Sequence, residues 1–397
     1  MKTSGKVRAT LSFGVIQAAL WSFFAIWMGF SSNFLYTYGF SDGQISLVLG
    51  VVTALSIGFQ LAVAELVSRI PRLKMYQVMI GSGVAMLLCA LGAMVFKNST
   101  LPSVICFCVS CLLLQTFPAM ANSLGMEAIE RGAPVIFGLS RGCGSFLYSV
   151  TAFITGFLVG EFGTDVLSVV AIVTSILFLA GVLIFHFTEE RGLPEFVEKP
   201  KQEEQKDEKE KGFLSRYPKF ALFLVGSTLL CFSHNLISNF LLQIMMIKGG
   251  DATDQGVASA IAAFVEIPIM FSFAVIVKWM RCDKWVKLSL IFFVLRSLAN
   301  LLAPTPELVC VAQLTQMLGY GLFNISTVSY AAAVVGKGEA TRAQSYLAST
   351  LTVGTLISMS TGGVLCQYFG AEIMMMVSLA FSVVGSVVVL LSSQKTE

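Results

Sequence analysis

Twelve separate stretches, each near the roughly 20 apolar residues that a helix needs to cross a bilayer, run through this chain. They fall at 10–36, 43–67, 76–96, 103–124, 142–159 and 166–187, then at 220–246, 257–279, 286–302, 308–331, 343–366 and 373–391. Only 12% of the 397 residues are charged and 56% are hydrophobic, with a mean hydropathy of +0.80. A soluble domain carries about 25% charged residues. Half that fraction leaves too little material for a solvated surface, so the apolar excess must face lipid. The expected fold is all-α, a polytopic membrane protein with twelve transmembrane helices in two pseudo-symmetric six-helix bundles.

The connections are short except at 188–219, a mixed-charge segment with too few apolar residues to build a core. It separates an N-terminal six-helix bundle (1–187) from a C-terminal one (220–397), with 188–219 as a cytoplasmic linker. Basic residues orient the spans. With the N-terminus in the cytoplasm, 23 of the 26 Lys and Arg fall on the cytoplasmic side, Lys97 and Lys248 lie outside, and Arg296 lies within a span. This bias places both termini in the cytoplasm and favours an even number of spans. The expected location is the plasma (inner) membrane.

The two halves share a pattern. The fifth span of each is entered by an Arg (Arg141, Arg342) and exits through G-x-L-x-x-x-F-G, at 156–163 and 363–370. Recurrence at the equivalent place argues for duplicated halves, the arrangement in which a solute site lies between bundles near the midplane.

Charges inside a bilayer cost about 2.5–3.5 kcal/mol each on insertion scales, so they need a partner or a wet cavity. Glu266 and Arg296 sit in the middle of spans 8 and 9. They read either as a solute-contacting pair that exchanges partners, with Glu266 a candidate proton carrier, or as a static pair joining two helices. Span 7 carries Asn235, Asn239 and Gln243 at i, i+4 and i+8, with His234 adjacent. Such a stripe either bonds to a neighbouring helix or lines an aqueous path. His234 is a second proton-coupling candidate, against the plainer reading of a single hydrogen bond. Gln313, Gln316 and Tyr320 lie on one face of span 10, and Asn33 and Tyr36 in span 1. Together these groups describe a hydrogen-bonding cavity with few charges, suited to a polar uncharged solute. Cys106, Cys108 and Cys111 include a C-x-x-C spacing, but their apolar neighbours make them small membrane-helix residues.

Ser41–Gln60 (SDGQISLVLGVVTALSIGFQ), Ser68–Lys74 (SRIPRLK), Phe137–Tyr148 (FGLSRGCGSFLY), Val265–Phe271 (VEIPIMF) and Val294–Asn300 (VLRSLAN) give the chain a resemblance to the major facilitator superfamily. Within it, the chain is similar to the oligosaccharide–proton symporter branch typified by lactose permease. The resemblance implies a secondary transporter of a sugar-like or nucleoside-like solute working by alternating access, with or without a coupling proton. It implies a sugar-contacting carboxylate at Glu266 and a coupling-network Arg at Arg296. It also implies an acidic residue ending span 4, at Glu127, paired with Arg141, and an aromatic at Tyr148 that stacks on a sugar ring. Gln316 and Gly319 stand where the branch has a titrating His and Glu. Ser68, Arg69, Arg72 and Lys74 form the superfamily's gating loop, with Ser68 where an Asp is usual.

Other classes fit less well. Only His186 and His234 are present, with no H-E-x-x-H and no Gly-rich phosphate loop, so enzymatic chemistry has no visible seat. A carrier without proton coupling, or a non-transporting solute sensor on the same fold, remain alternatives. The expected partners are a small polar solute, a coupling proton under the symport reading, and membrane lipids. No cofactor, no metal, no nucleic acid and a monomeric state are expected.

Overall fold

The computed structural model describes residues 2–70, 73–190, 193, 212–336 and 339–396. Among these there is no strand, and twelve helices are long and apolar enough to cross a bilayer. The first six are α1 (Lys6–Trp27), α2 (Asp42–Arg69), α3 (Met75–Val95), α4 (Thr100–Glu130), α5 (Phe137–Phe162) and α6 (Asp165–Glu189). The second six are α7 (Pro218–Asn239), α8 (Ala252–Phe273), α9 (Cys282–Leu302), α10 (Pro306–Val334), α11 (Arg342–Phe369) and α12 (Ala371–Ser392). Each expected span has its helix. Several helices overrun the expected limits (α4 reaches Glu130 and α5 begins at Phe137) because hydropathy counts only the lipid-facing core, while the hydrogen-bonded helix continues into the polar interface.

The backbone repeats itself in the two halves. The expected first span, 10–36, is two helices: α1 ends at Trp27 and a short helix Ser31–Thr37 follows. The expected seventh span is broken in the same way, with Leu241–Ile247 following α7. The junction residues have nearly the same dihedrals, φ −108° and ψ 24° at Phe30 against φ −112° and ψ 30° at Phe240. The G-x-L-x-x-x-F-G pattern also gains a cause. Its last residue caps the helix in the left-handed region, at φ 76° for Gly163 and φ 86° for Gly370, where a Cβ is strained. Its first residue is a close helix crossing into the other half. A Cβ on Gly156 would lie 2.6 Å from Gly256 Cα of α8, and one on Gly363 would run into the Asp42 carbonyl of α2.

Those crossings, α5 against α8 and α11 against α2, join the halves. The hydrogen bonds across them cluster at the end away from the chain termini. Gln243 Nε2 lies 3.1 Å from Ser32 Oγ, 3.1 Å from Tyr36 Oη and 2.9 Å from Asp42 Oδ1. The Tyr36 hydroxyl also donates to Asp42 Oδ1. Gln367 Oε1 accepts from Ser41 Oγ at 2.9 Å and from the Gly43 amide at 2.8 Å, and Gln255 Nε2 donates to the Gly29 carbonyl at 2.6 Å. Towards the terminal face α2 and α11 part, whereas α5 and α8 stay in contact, with the Phe271 ring against Gly142. Beyond Ser56, α2 buries only Val63, with Gln60, Leu61 and Glu65 exposed, and Gln344, Ser345, Ser349 and Thr352 of α11 are exposed too. The molecule is therefore sealed at the far end and open on the face that carries both termini.

Gln243→Leu removes the amide that ties Asp42 and Tyr36 to the second half. A hydrogen bond to a charged group contributes about 1.5–3 kcal/mol, so the far end is expected to open at least about tenfold more often. The labelling rate of a cysteine placed at Ser32, with a membrane-impermeant thiol reagent, measures this.

Candidate functional site

A cavity of about 280 Å³ lies between the halves and is lined from both. Trp21 and Phe24 of α1 and Arg141, Ser145 and Tyr148 of α5 form one wall. His234, Asn235 and Ser238 of α7, Glu266 of α8, Arg296 of α9 and residues of α10 form the other.

Helix α10 shapes its side of the cavity through irregularity. Pro306–Ala312 is α-helical, Gln313–Gln316 tightens to a 3₁₀ turn, Met317–Gly321 widens to a π turn, and Leu322–Val334 resumes the α-helix. Residues three apart eclipse in a 3₁₀ turn, which stacks Gln313 above Gln316 on the cavity side. The wide turn that follows re-aims Tyr320. Gly321 gives the room, because a Cβ there would sit 3.2 Å from Glu266 Cγ.

The mid-span charges are both in the cavity wall but do not pair with each other. Gln316 Nε2 donates to Glu266 Oε1 at 2.7 Å. Arg296, 3% exposed, donates through NH2 to Gln313 Oε1 at 2.8 Å and to Ser238 Oγ at 3.2 Å. Its NH1 lies 2.7 Å from His234 Nδ1. A guanidinium has donors only, so Nδ1 must be the acceptor and the His234 ring is neutral with its proton on Nε2. That ring stacks on Tyr320 at 3.9 Å and 7°. Gln313 passes the network on to Asn300 Oδ1 at 2.9 Å. The expected Glu266–Arg296 ion pair is thus corrected to two separate networks. Neutral amide, hydroxyl and imidazole acceptors satisfy Arg296 at closer range, and span 10 inserts its glutamines between spans 8 and 9.

Two further expectations are corrected. Glu127 does not pair with Arg141. Its Oε1 meets Arg131 NH1 at 3.3 Å, one helical turn on, and it is not in the cavity lining. Arg141 instead lies with its guanidinium 4.0 Å from the centroid of the Trp21 ring. The span-7 stripe also does not share one environment. Asn235 lines the cavity and bonds to Thr355 Oγ1 at 3.1 Å, Asn239 bonds to Ser358 Oγ at 3.1 Å, and Gln243 belongs to the far-end seal. The stripe assumes one continuous helix, and the break at Phe240 puts Gln243 on another segment.

Of the loop candidates, Arg72 lies outside the described residues. Ser68 Oγ donates to the Glu65 carbonyl at 2.8 Å, and Arg69 pairs with Glu65 at 2.5 Å on its own helix, both side chains exposed. Lys74 is exposed, and its backbone N–H donates to Gln77 Oε1 at 2.9 Å. Cavity residues that the sequence did not single out include Trp21, Phe24, Ser145, Ser238, Ser259 and Asn324. Trp21, an N–H-bearing aromatic deep in an apolar span, was the one readable signal among them.

Twelve helices long and apolar enough to cross a bilayer, around a polar cavity between two similar halves, make this a multi-pass membrane protein. Residues 16–377 match the MFS_1 like family, and the chain belongs to that family. No curated protein matches it. Among solved structures, a point mutant of the nucleoside transporter NupG is similar with a TM-score of 0.76 at 13% identity, covering 97% of this chain and 100% of that one. An auto-inhibited POT family peptide transporter has a TM-score of 0.71 at 10% identity, covering 97% and 96%. A bacterial homologue of the iron transporter ferroportin in its inward-facing state has 0.70 at 15%, covering 98% and 99%. At such identities the likeness is one of fold.

Proposed function

We propose that this chain is a secondary transporter of the plasma membrane that carries a small polar, hydroxyl-bearing solute, sugar-like or nucleoside-like, by alternating access. The observation that carries this reading is one cavity, shared by both halves, sealed by cross-half hydrogen bonds at one end and open at the other. With both termini in the cytoplasm, as the basic loops argue, the open end faces inward. A volume of about 280 Å³ lies at the lower edge of the roughly 300–1,000 Å³ typical of small-molecule sites, which favours a monosaccharide- or nucleoside-sized cargo over a larger one. The amides, hydroxyls and Glu266 supply acceptors and donors for hydroxyl groups. Tyr148 offers a ring face, and a nucleoside transporter stands among the fold relatives. The sugar-symporter resemblance supports the same solute class. The segment from Ser68 through Arg72 to Lys74 would act in the opposite state, when the terminal face closes.

Glu266 is the one carboxylate among the described residues that line the cavity. His234 is engaged as an acceptor for Arg296, so a proton-driven cycle would load its proton on Glu266. Glu266→Gln is expected to lower uptake of the transported solute about 10–100-fold, the range corresponding to the loss of a hydrogen bond to a charged group. In proteoliposomes the same variant should make the residual flux indifferent to an imposed pH gradient. Accumulation measured across a panel of hexoses and nucleosides tests the proposal. A protein that binds a panel member but never moves it would overturn transport. Uptake by the unsubstituted protein that ignores protonophores would exclude proton symport and leave uniport or sodium coupling.

A further inference from the structure

The charges of the cavity do not balance. Arg141 and Arg296 line it, Glu266 is the only carboxylate among the described lining residues, and His234 is neutral. With Glu266 ionised, the cavity carries one net positive charge. In the open state shown here, water screens that excess. Once both ends close, an uncompensated charge in a dry cavity is heavily penalised.

Neither guanidinium forms an ion pair with Glu266 among the described residues, and the two differ in how their N–H groups are satisfied. Arg296 directs its donors to Gln313, Ser238 and His234. Arg141 has five N–H groups to offer, and among the described residues it makes one long hydrogen bond, NH1 to Ser145 Oγ at 3.4 Å, and no ion pair. Its plane is nonetheless held. The guanidinium lies against Trp21, whose Nε1 is fixed by Gln17 Oε1 at 3.2 Å. Gly144 leaves space for that indole, since a Cβ there would sit 2.5 Å from Trp21 Cδ1. A stacked guanidinium with open donor edges and no ion pair suits a planar, bidentate anion.

We propose that the transported solute is a monoanion, a hydroxylated carboxylic acid such as a sugar acid, whose carboxylate binds Arg141 over Trp21. This rests on the polar-solute reading above and narrows it. The hydroxyl-bearing end then lies towards Glu266 and Gln316 on the opposite wall. With Glu266 ionised, as in a cycle without a coupling proton, one carboxylate brings the occupied cavity to zero net charge and lets it close. A phosphate monoester, near two negative charges, would overshoot.

The test uses purified full-length protein and matched pairs: D-glucose with D-glucuronate and D-galactose with D-galacturonate, with D-glucose 6-phosphate as a third arm. Binding is measured by calorimetry and exchange by counterflow in proteoliposomes. The acid of at least one pair is expected to bind tenfold or more tighter than its neutral partner. Arg141→Gln should shrink that acid-to-neutral ratio to under threefold, and Arg141→Lys, which keeps the charge but not the fork, should leave it intermediate. Equal or better binding of the neutral sugars, with a ratio that Arg141→Gln does not change, overturns the monoanion inference and leaves polar-solute transport standing. Preference for the phosphate ester overturns it in the same way. Binding of no member by a monodisperse protein overturns both readings for hexose-sized solutes.

Discussion

Replacement of Arg296 by alanine is expected to reduce uptake more than about 100-fold while leaving the protein folded in the membrane. The guanidinium joins Ser238 and His234 of α7 to Gln313 of α10, and Gln313 in turn holds Asn300. Removing it leaves three acceptors without donors, at about 1–3 kcal/mol each. Against this, deleting a buried guanidinium returns several kcal/mol of desolvation. The two terms are of similar size, so the thermal midpoint should move little. The geometry has no such offset. Without Arg296, the His234 ring and the 3₁₀ turn of α10 lose their common anchor, and Gln316 loses its fixed approach to Glu266. Uptake into proteoliposomes, read beside the midpoint of the purified protein, separates the two effects. Arg296→Lys serves as the control: one compact ammonium cannot span the His234, Ser238 and Gln313 acceptors together, so it should recover only part of the flux. Full flux in either variant would remove Arg296 from the working site.

Gly156→Val is expected to drive the far end apart. The Gly156 and Gly256 backbones touch where α5 crosses α8, and a Cβ at either would lie 2.6 Å from the other's Cα. Both neighbours are backbone, so no side chain can rotate away. Overpacking costs about 1–3 kcal/mol when the structure can adjust, and two rigid helices in contact lie at the high end. A cost of that size multiplies the far-end-open population by roughly 10–100. Spin labels at Phe162 and Tyr368, exposed positions on the two halves beside this seal, should report a longer distance in the variant. Solute exchange should fall, because the cycle needs the far end to close again. An unchanged distance distribution would show that the crossing is not what seals the molecule.

The fold was almost wholly legible, for a simple reason. Lipid imposes one rule on every span, so length and hydropathy alone counted twelve helices, and the repeated glycine pattern marked the matching halves. The site was legible in part. Glu266, Arg296, Arg141, Tyr148, His234, Asn235 and Gln316 all line the cavity, because a polar group inside an apolar span is too costly to be idle. Their partnerships were not legible. Whether Glu266 meets Arg296 or Gln316 depends on the rotation of three helices about their axes, which the 3₁₀ and π turns of α10 set and which leave no mark in hydropathy. The break at Phe240, which removes Gln243 from the stripe, is equally silent, since both pieces are apolar and helical.

Sequence by itself therefore determined that the chain crosses the membrane twelve times in two similar halves and which few side chains are polar within it. Only the tertiary structure decided which of those side chains satisfy one another and which, like Arg141, face the cavity with most of their donors unused. Burial in lipid is a property of each segment taken alone, whereas hydrogen bonding is a property of pairs brought together from different helices.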